Sequence, residues 1–127
     1  MDRTYPETDL TSRIILAAIE VHRHLGPGLL ESAYESCLCR ELSLQNINFI
    51  RQLALPVTYK GEEIDCGYRM DLIVEDRVIV ELKTVEKILP IHEAQVLTYL
   101  KLSQKRVGLI LNFYCNLMKD GIKRMVL

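Results

Sequence analysis

The stretch YRMDLIVEDRVIVELKT, residues 68–84, predicts a β-hairpin. Two apolar runs flank the polar residues 75–77, and three charged side chains interrupt the apolar pattern: Asp71, Glu81 and Lys83. Side chains two positions apart on a strand share a face. Glu81 and Lys83 therefore point to the same side of the second strand.

The apolar side chains favour one register for this hairpin. A connection made of residues 75–77 pairs Val74 with Val78 and places Asp71 directly across from Glu81, with Lys83 beyond. A slip by one residue would mix apolar and charged side chains on both faces, which a buried face resists. We expect the apolar face to be buried against a helix; its members are Met70, Leu72, Val74, Val78, Val80 and Leu82.

Two carboxylates opposed on a sheet repel each other unless something lies between them, and a divalent cation is the natural candidate. The alternative is that Glu81 and Lys83 form a solvated ion pair of little energetic weight, since this short spacing occurs by chance in many chains. The strands otherwise look buried on both sides, which favours a functional role for the charges.

The composition predicts a single soluble globular domain spanning residues 1–127, with 49% hydrophobic and 26% charged residues. The net charge of −1 gives no general attraction for nucleic acid, so a polyanion would need a local basic patch or a bound metal. No apolar run reaches the length of a membrane span, and no signal-peptide pattern is present, so we expect no membrane association. The four cysteines lack zinc-site spacing and are typical of reduced core thiols in a cytoplasmic protein.

Apolar periodicity predicts two helices before the hairpin. The first begins near Asp9 and is ended by Gly26 and Pro27, and the second covers about residues 30–44. Glu31 lies near the start of the second helix, where the helix dipole alone would favour a carboxylate. A period-two pattern over residues 48–59 then predicts a strand, in which Pro56 indicates an edge position or a bulge.

After the hairpin, Pro90 opens a third predicted helix that reaches about Ser103. Residues 107–111 and 122–126 are predicted strands, the second preceded by the turn signal Asp120–Gly121. The order is α-α-β-β-β-α-β-β, which implies an α/β fold with a mixed central sheet flanked by helices. The strands before and after the third helix should be parallel.

The third helix carries three polar side chains on one side. His92, Gln95 and Tyr99 fall within an arc of about 60° at about 100° per residue. They can serve a functional site, or they can be half-buried groups that close the helix onto the sheet. The pattern leaves both interpretations open.

Two motifs carry a resemblance to a known family. A three-strand meander with an aspartate, followed by Glu-x-Lys, a helix and a central strand, resembles the PD-(D/E)xK nuclease superfamily, although Met70 replaces the proline of the motif. Residues 28–34 have the form G-x-x-E-x-x-Y and resemble the small bacterial and archaeal GxxExxY proteins placed in that superfamily. The resemblance runs from about Ile14 to Met125 and includes IEVHRHLGPGLLESAYE, HEAQVLTYLKL and DGIKR. It implies a restriction-endonuclease-like core.

The resemblance also implies roles for individual residues. Asp71 and Glu81 would bind Mg²⁺ or Mn²⁺, and Lys83 would orient or activate the attacking water. Gln95 and Tyr99 would complete the active site or contact DNA. Glu31 could add a third carboxylate if the second helix starts beside the charged edge of the sheet. The candidate nucleic-acid contacts are Lys119, Lys123, Arg124 and His92, of which the three C-terminal cations could equally be solvated surface charge.

Three functions remain open at this point. The first is a metal-dependent nuclease that hydrolyses phosphodiester bonds, with DNA as the expected substrate, and it is favoured because Asp71, Glu81 and Lys83 are all present. The second is a binding or accessory module with weak or no catalysis, which the near-neutral charge favours. The third is an oligomeric scaffold whose carboxylates only pair with Lys83 and Arg69. The sequence also leaves a homodimer open.

Overall fold

The structure, a computed structural model, describes residues 6–127. Its helices are α1 (Thr8–Leu25), α2 (Glu31–Leu44) and α3 (Pro90–Ser103), and a 3₁₀ helix (Met118–Gly121) precedes the last strand. The strands are β1 (Phe49–Ala54), β2 (Val57–Tyr59), β3 (Glu62–Ile64), β4 (Arg69–Val74), β5 (Val78–Lys83), β6 (Val107–Asn112) and β7 (Ile122–Val126).

The main sheet is mixed, as predicted, with the strand order β1-β4-β5-β6-β7. β5 and β6 are parallel and are connected through α3, whereas the other neighbours are antiparallel. The predicted parallel pair is therefore confirmed. The strand that carries Glu81 and Lys83 lies at the centre of the sheet.

The register of the β4–β5 hairpin is the one that the apolar pattern predicts. Val74 pairs with Val78 and Leu72 with Val80. The connection closes through a 3.0 Å hydrogen bond from the Arg77 N–H to the Val74 carbonyl. Continuing the same register places Asp71 opposite Glu81.

The two faces of the sheet pack in two separate cores. One face is covered by α1 and α2, and α3 covers the other. The predicted apolar face of the hairpin packs against α1 and α2, with one exception: Met70 belongs to the cluster beneath α3, with Ile79 and Tyr99. The β4–β5 pairing ends at Leu72 and Val80, whereas Met70 pairs with Leu53 of β1, beyond Gln52 with its left-handed φ of 51°.

Pro56 divides the strand predicted over residues 48–59. β1 ends at Ala54 as an edge strand of the main sheet, and β2 pairs with β3 in a separate two-stranded sheet. Proline has no N–H to donate to a ladder, so the chain leaves the sheet at this position. The predicted order therefore gains a small hairpin between β1 and β4.

The helix ends agree closely with the sequence pattern. Gly26 takes a φ of 72° and its N–H donates to the His22 carbonyl, which ends α1. Such positive φ values are readily adopted by glycine because it lacks a Cβ atom. Within residues 6–127, no helix combines the length and apolarity needed to cross a membrane. The four cysteines are free thiols, as predicted.

Candidate metal and nucleic-acid site

The centre of the candidate site is the acidic pair formed by Asp71 and Glu81. Glu81 is only 4% exposed, on the sheet face that α3 covers, and Asp71 is half-buried. Burial raises the pKa of Glu81 to about 9, and the hydrogen bond and negative charge of Asp71 add to this effect. Oε1 of Glu81 is buried with no hydrogen-bond partner among the described residues. The acidic pair therefore contains a buried carboxyl oxygen without a partner, which is costly unless a ligand completes it.

Two hydrogen bonds from outside the acidic pair hold the Asp71 carboxylate in place. The backbone N–H of Leu82 donates to Oδ2 at 2.9 Å, and Nε2 of Gln52 donates to Oδ1 at 3.3 Å. Gln52 itself has a φ of 51°, a left-handed conformation that is uncommon for a residue with a side chain. Each carboxylate oxygen has two lone pairs, so these bonds leave Asp71 able to coordinate a cation.

Lys83 is half-buried beside the pair, and its charge partly offsets the rise in the pKa of Glu81. In the described part of the chain, Lys83 forms no ion pair, and Asp71 forms none with Arg69. The ion-pair interpretations of these charges are therefore not seen in the structure. The ammonium group stays available to a substrate or to water.

Glu31 lies at the rim of the site as the first residue of α2 and is exposed. Partial burial of its carboxyl group raises its pKa, and the charge of Asp71 acts in the same direction, while Lys83 and the Thr84 N–H lower it. No three His, Cys, Asp or Glu side chains within residues 6–127 converge closely enough to enclose a metal ion. The structure thus brings Asp71 and Glu81 together and leaves Glu31 beside them.

The tyrosine of the G-x-x-E-x-x-Y motif is a structural residue. Tyr34 is fully buried and stacks on Phe113, with ring centroids 4.4 Å apart and planes 12° apart. Its hydroxyl donates to the Gly26 carbonyl and accepts the Leu29 N–H at 3.1 Å. These bonds fix the loop that enters α2, and so they place Glu31 beside the acidic pair.

A second carboxylate on α2 was not among the predicted site residues. Glu35 is 7% exposed, accepts a 2.9 Å hydrogen bond from Arg51, and accepts another of 2.9 Å from Gln52. Gln52 therefore joins Glu35 to Asp71. The available signal was the spacing of Glu31 and Glu35, because side chains four residues apart share a helix face.

The third helix places Tyr99 near the acidic pair and Gln95 beside Tyr99. Tyr99 is 6% exposed, and its hydroxyl accepts a 3.0 Å hydrogen bond from Gln95. Burial raises the pKa of Tyr99, and the charge of Glu81 is the next cause. His92 has a different contact, because its Nδ1 accepts the Leu89 N–H at 3.0 Å and caps the start of α3.

The three C-terminal cations do not form one basic patch. Lys123 and Arg124 are consecutive on β7, so their side chains point to opposite faces of the sheet. Arg124, the third predicted nucleic-acid contact, is half-buried and donates to Thr11 on α1 at 3.1 Å and to the Pro6 carbonyl. Nζ of Lys123 lies 3.8 Å from Oε1 of Glu93 on α3. Lys119 is exposed on the 3₁₀ helix and lines a cavity of about 640 Å³.

The family model of the PD-(D/E)XK nuclease superfamily matches residues 8–125 of this chain. The match covers all three helices and every strand up to Met125 in β7. Neither a curated protein nor a solved structure shows a match to the chain.

Proposed function

Since this chain belongs to the PD-(D/E)XK nuclease superfamily, we propose that it is a divalent-metal-dependent nuclease that hydrolyses phosphodiester bonds of DNA. The observation that carries the proposal is the acidic pair: Glu81 is buried against Asp71, with its pKa raised to about 9 and one oxygen without a partner in the described residues. A cation between the two groups would favour their ionised forms and satisfy that oxygen.

Mg²⁺ or Mn²⁺ fits the donor set. Asp71 and Glu81 offer hard carboxylate oxygens, and Glu31 would act as a third carboxylate, directly or through water. Magnesium sites commonly use one or two carboxylates and keep several waters, so the two central groups suffice. When bound there, the ion would supply Lewis-acid stabilisation of charge on the phosphoryl group.

The other residues act on water, on substrate or on Asp71. The Lys83 ammonium orients the attacking water and places positive charge towards the phosphate. Gln52 and the Leu82 N–H hold the Asp71 carboxylate in a fixed orientation, while Gln95 and Tyr99 close the site from α3. Lys119 and Lys123 are the exposed C-terminal candidates for contacts to phosphates, and His92 would contact nucleic acid from the start of α3.

Cleavage assays test this function. Plasmid DNA, labelled DNA oligonucleotides and RNA are incubated with the protein in Mg²⁺, Mn²⁺ or EDTA. We expect metal-dependent cleavage of DNA that falls by at least about 100-fold in Glu81→Gln and in Lys83→Met, as for loss of one transition-state contact. The matched controls are Glu86→Gln and Lys87→Met, which change the same residue types at exposed positions just after β5.

Two results would contradict the proposal. Cleavage that survives in EDTA or in Glu81→Gln would exclude the acidic pair as its source. A folded protein that binds DNA and cleaves it in neither metal would instead be the accessory module.

Sedimentation of the same preparation tests whether the protein forms a homodimer. A reduced state of all four thiols in cells is what we expect of a cytoplasmic protein.

A further inference from the structure

A groove of about 660 Å³ lies between α3 and the start of β4, next to the acidic pair. Its wall on α3 consists of side chains that recur at helical spacing, and Tyr68 and Val57 form the opposite side. The lining residues that matter for recognition are Val57, Tyr68, Ile91, Gln95, Thr98 and Tyr99.

Tyr99 connects the groove to the surroundings of the acidic pair. It lines the groove, and it packs in one cluster with Met70, which precedes Asp71 in β4, and with Ile79, which lies two residues before Glu81 in β5. Tyr68 lies next to it, with ring centroids 6.4 Å apart and planes tilted by 56°. A ligand seated on Tyr68 would therefore adjoin a phosphate held at the acidic pair.

The chemistry of the lining suits a nucleobase better than a phosphate. Among the described residues that line the groove, none is Lys or Arg, and Nδ1 of His92 already accepts the Leu89 N–H, so the groove offers little attraction for a bare anion. Tyr68 is 49% exposed and presents an aromatic ring, and Ile91 is 68% exposed at the mouth. Gln95 and Thr98 supply an amide and a hydroxyl that can hydrogen-bond to the edge of a base.

We propose that this groove binds an unpaired base of the substrate, stacked on Tyr68, so that the enzyme prefers single-stranded or locally unpaired nucleic acid. The proposal rests on the proposed function for the placement of the phosphate. In a duplex both faces of each base are covered by its neighbours, so Tyr68 can reach a base only where the strand is single or the base is turned out. Aromatic stacking tolerates any base, so the stack on Tyr68 by itself confers no sequence preference.

Fluorescence anisotropy in EDTA tests the groove without cleavage. Three labelled probes are compared: a single-stranded DNA, the same sequence as a blunt duplex, and a strand of equal length with abasic sites throughout. We expect the single strand to bind most tightly. Tyr68→Ala should weaken its binding by about 5- to 100-fold, as for loss of one base–aromatic stack, while leaving the abasic strand and the duplex unchanged.

Two control variants and one further test variant accompany Tyr68→Ala. Tyr68→Phe keeps the ring and should retain the affinity. Tyr59→Ala removes a tyrosine that is 59% exposed on β2 and does not line the groove, so it should have no effect. Ile91→Glu changes a position outside the core and puts negative charge at the mouth, and it should weaken single-strand binding even if Tyr68→Ala folds poorly.

The outcomes separate this inference from the proposed function. If Tyr68→Ala and Ile91→Glu leave single-strand binding unchanged, or if the single strand does not bind, the base site is overturned even where metal-dependent cleavage is intact. If the single-strand preference disappears in these variants but the wild type never cleaves, the base site stands and the nuclease activity falls. A dimer in sedimentation that Ile91→Glu dissociates would assign the groove to a second copy and overturn the inference.

Discussion

Glu81 on β5 lies beside Asp71 on the neighbouring strand β4, and burial together with the hydrogen bond and negative charge of Asp71 raises the pKa of Glu81 to about 9. An ordinary solvated pair of acidic residues would both be ionised at neutral pH. Here one proton is retained between two carboxyl groups unless a cation replaces it. The acidic pair therefore couples proton binding, metal binding and stability.

The first prediction is a fall in stability of the metal-free protein as pH rises. Between the unfolded pKa of about 4.5 and the folded pKa of about 9, the native state holds a proton on Glu81 that the unfolded state has lost. The stabilisation is therefore fully present below pH 4.5 and is lost as pH rises through about 9, with a slope of up to about 1.4 kcal/mol per pH unit. Glu81→Gln should remove most of this slope in urea melts in EDTA, because the amide does not titrate. Equal slopes in the two proteins would contradict the assignment.

The second prediction concerns the metal. Asp71→Asn should leave the metal-free protein as stable or more stable, because it removes the negative charge that opposes ionisation of Glu81 and still offers an oxygen to the Leu82 N–H. Wild type should gain about 2.7 kcal/mol when Mg²⁺ or Mn²⁺ reaches a hundred times its dissociation constant, and the variant should gain little. Thermal melts with EDTA and with a manganese series measure both. A destabilised variant together with a metal-insensitive wild type would exclude a metal site.

The third prediction tests the α3 residues. Gln95→Ala and Tyr99→Phe should reduce activity or nucleic-acid binding more than they reduce stability, because their mutual hydrogen bond lies at the border of the acidic pair. Cleavage rates and melting temperatures are measured on the same preparations. Loss of stability in proportion to loss of function would make the two residues structural.

The fourth prediction concerns the support of the site by Glu35. Arg51→Ala should destabilise the protein by about 1–3 kcal/mol, because it removes a charged hydrogen-bond partner from a buried carboxylate. Ser36→Ala is the control: its hydroxyl accepts only a longer, exposed 3.3 Å bond from the same guanidinium. Urea denaturation should therefore give a lower free energy of unfolding for Arg51→Ala than for Ser36→Ala. Equal stabilities would show that solvent screens the Arg51–Glu35 pair.

The fifth prediction concerns Gly121, which follows Asp120 at the end of the 3₁₀ helix. A Cβ atom there would lie 2.0 Å from the Asn112 carbonyl oxygen, a backbone atom that cannot rotate away. Gly121→Ala should therefore cost about 1–3 kcal/mol or more. Gly28→Ala should have little effect, since a Cβ at Gly28 meets no atom within 4 Å. Melting temperatures of the two variants give the comparison, and a neutral Gly121→Ala would contradict the close approach.

Local patterns predicted most of the fold correctly because they depend on residues close in the chain. Alternating apolar side chains were enough for the β4–β5 register, since any slip would bury charge. Gly26 ended α1 and Pro90 began α3 for reasons that lie in their own backbone chemistry. The same register predicted Asp71 opposite Glu81 without any knowledge of how the helices pack.

Tertiary packing decided the features that join distant segments. The buried Glu35 carboxylate accepts hydrogen bonds from Arg51 and Gln52 of β1. The Arg124 guanidinium donates a hydrogen bond to Thr11 because α1 passes beside β7. The sequence predicts Gly121 as a turn residue. Glycine is required there because the Asn112 carbonyl oxygen lies where a Cβ atom would be. Periodicity says which face a side chain occupies and nothing about which segment covers that face. The partners of these residues therefore depend on the packing of the whole sheet and its helices.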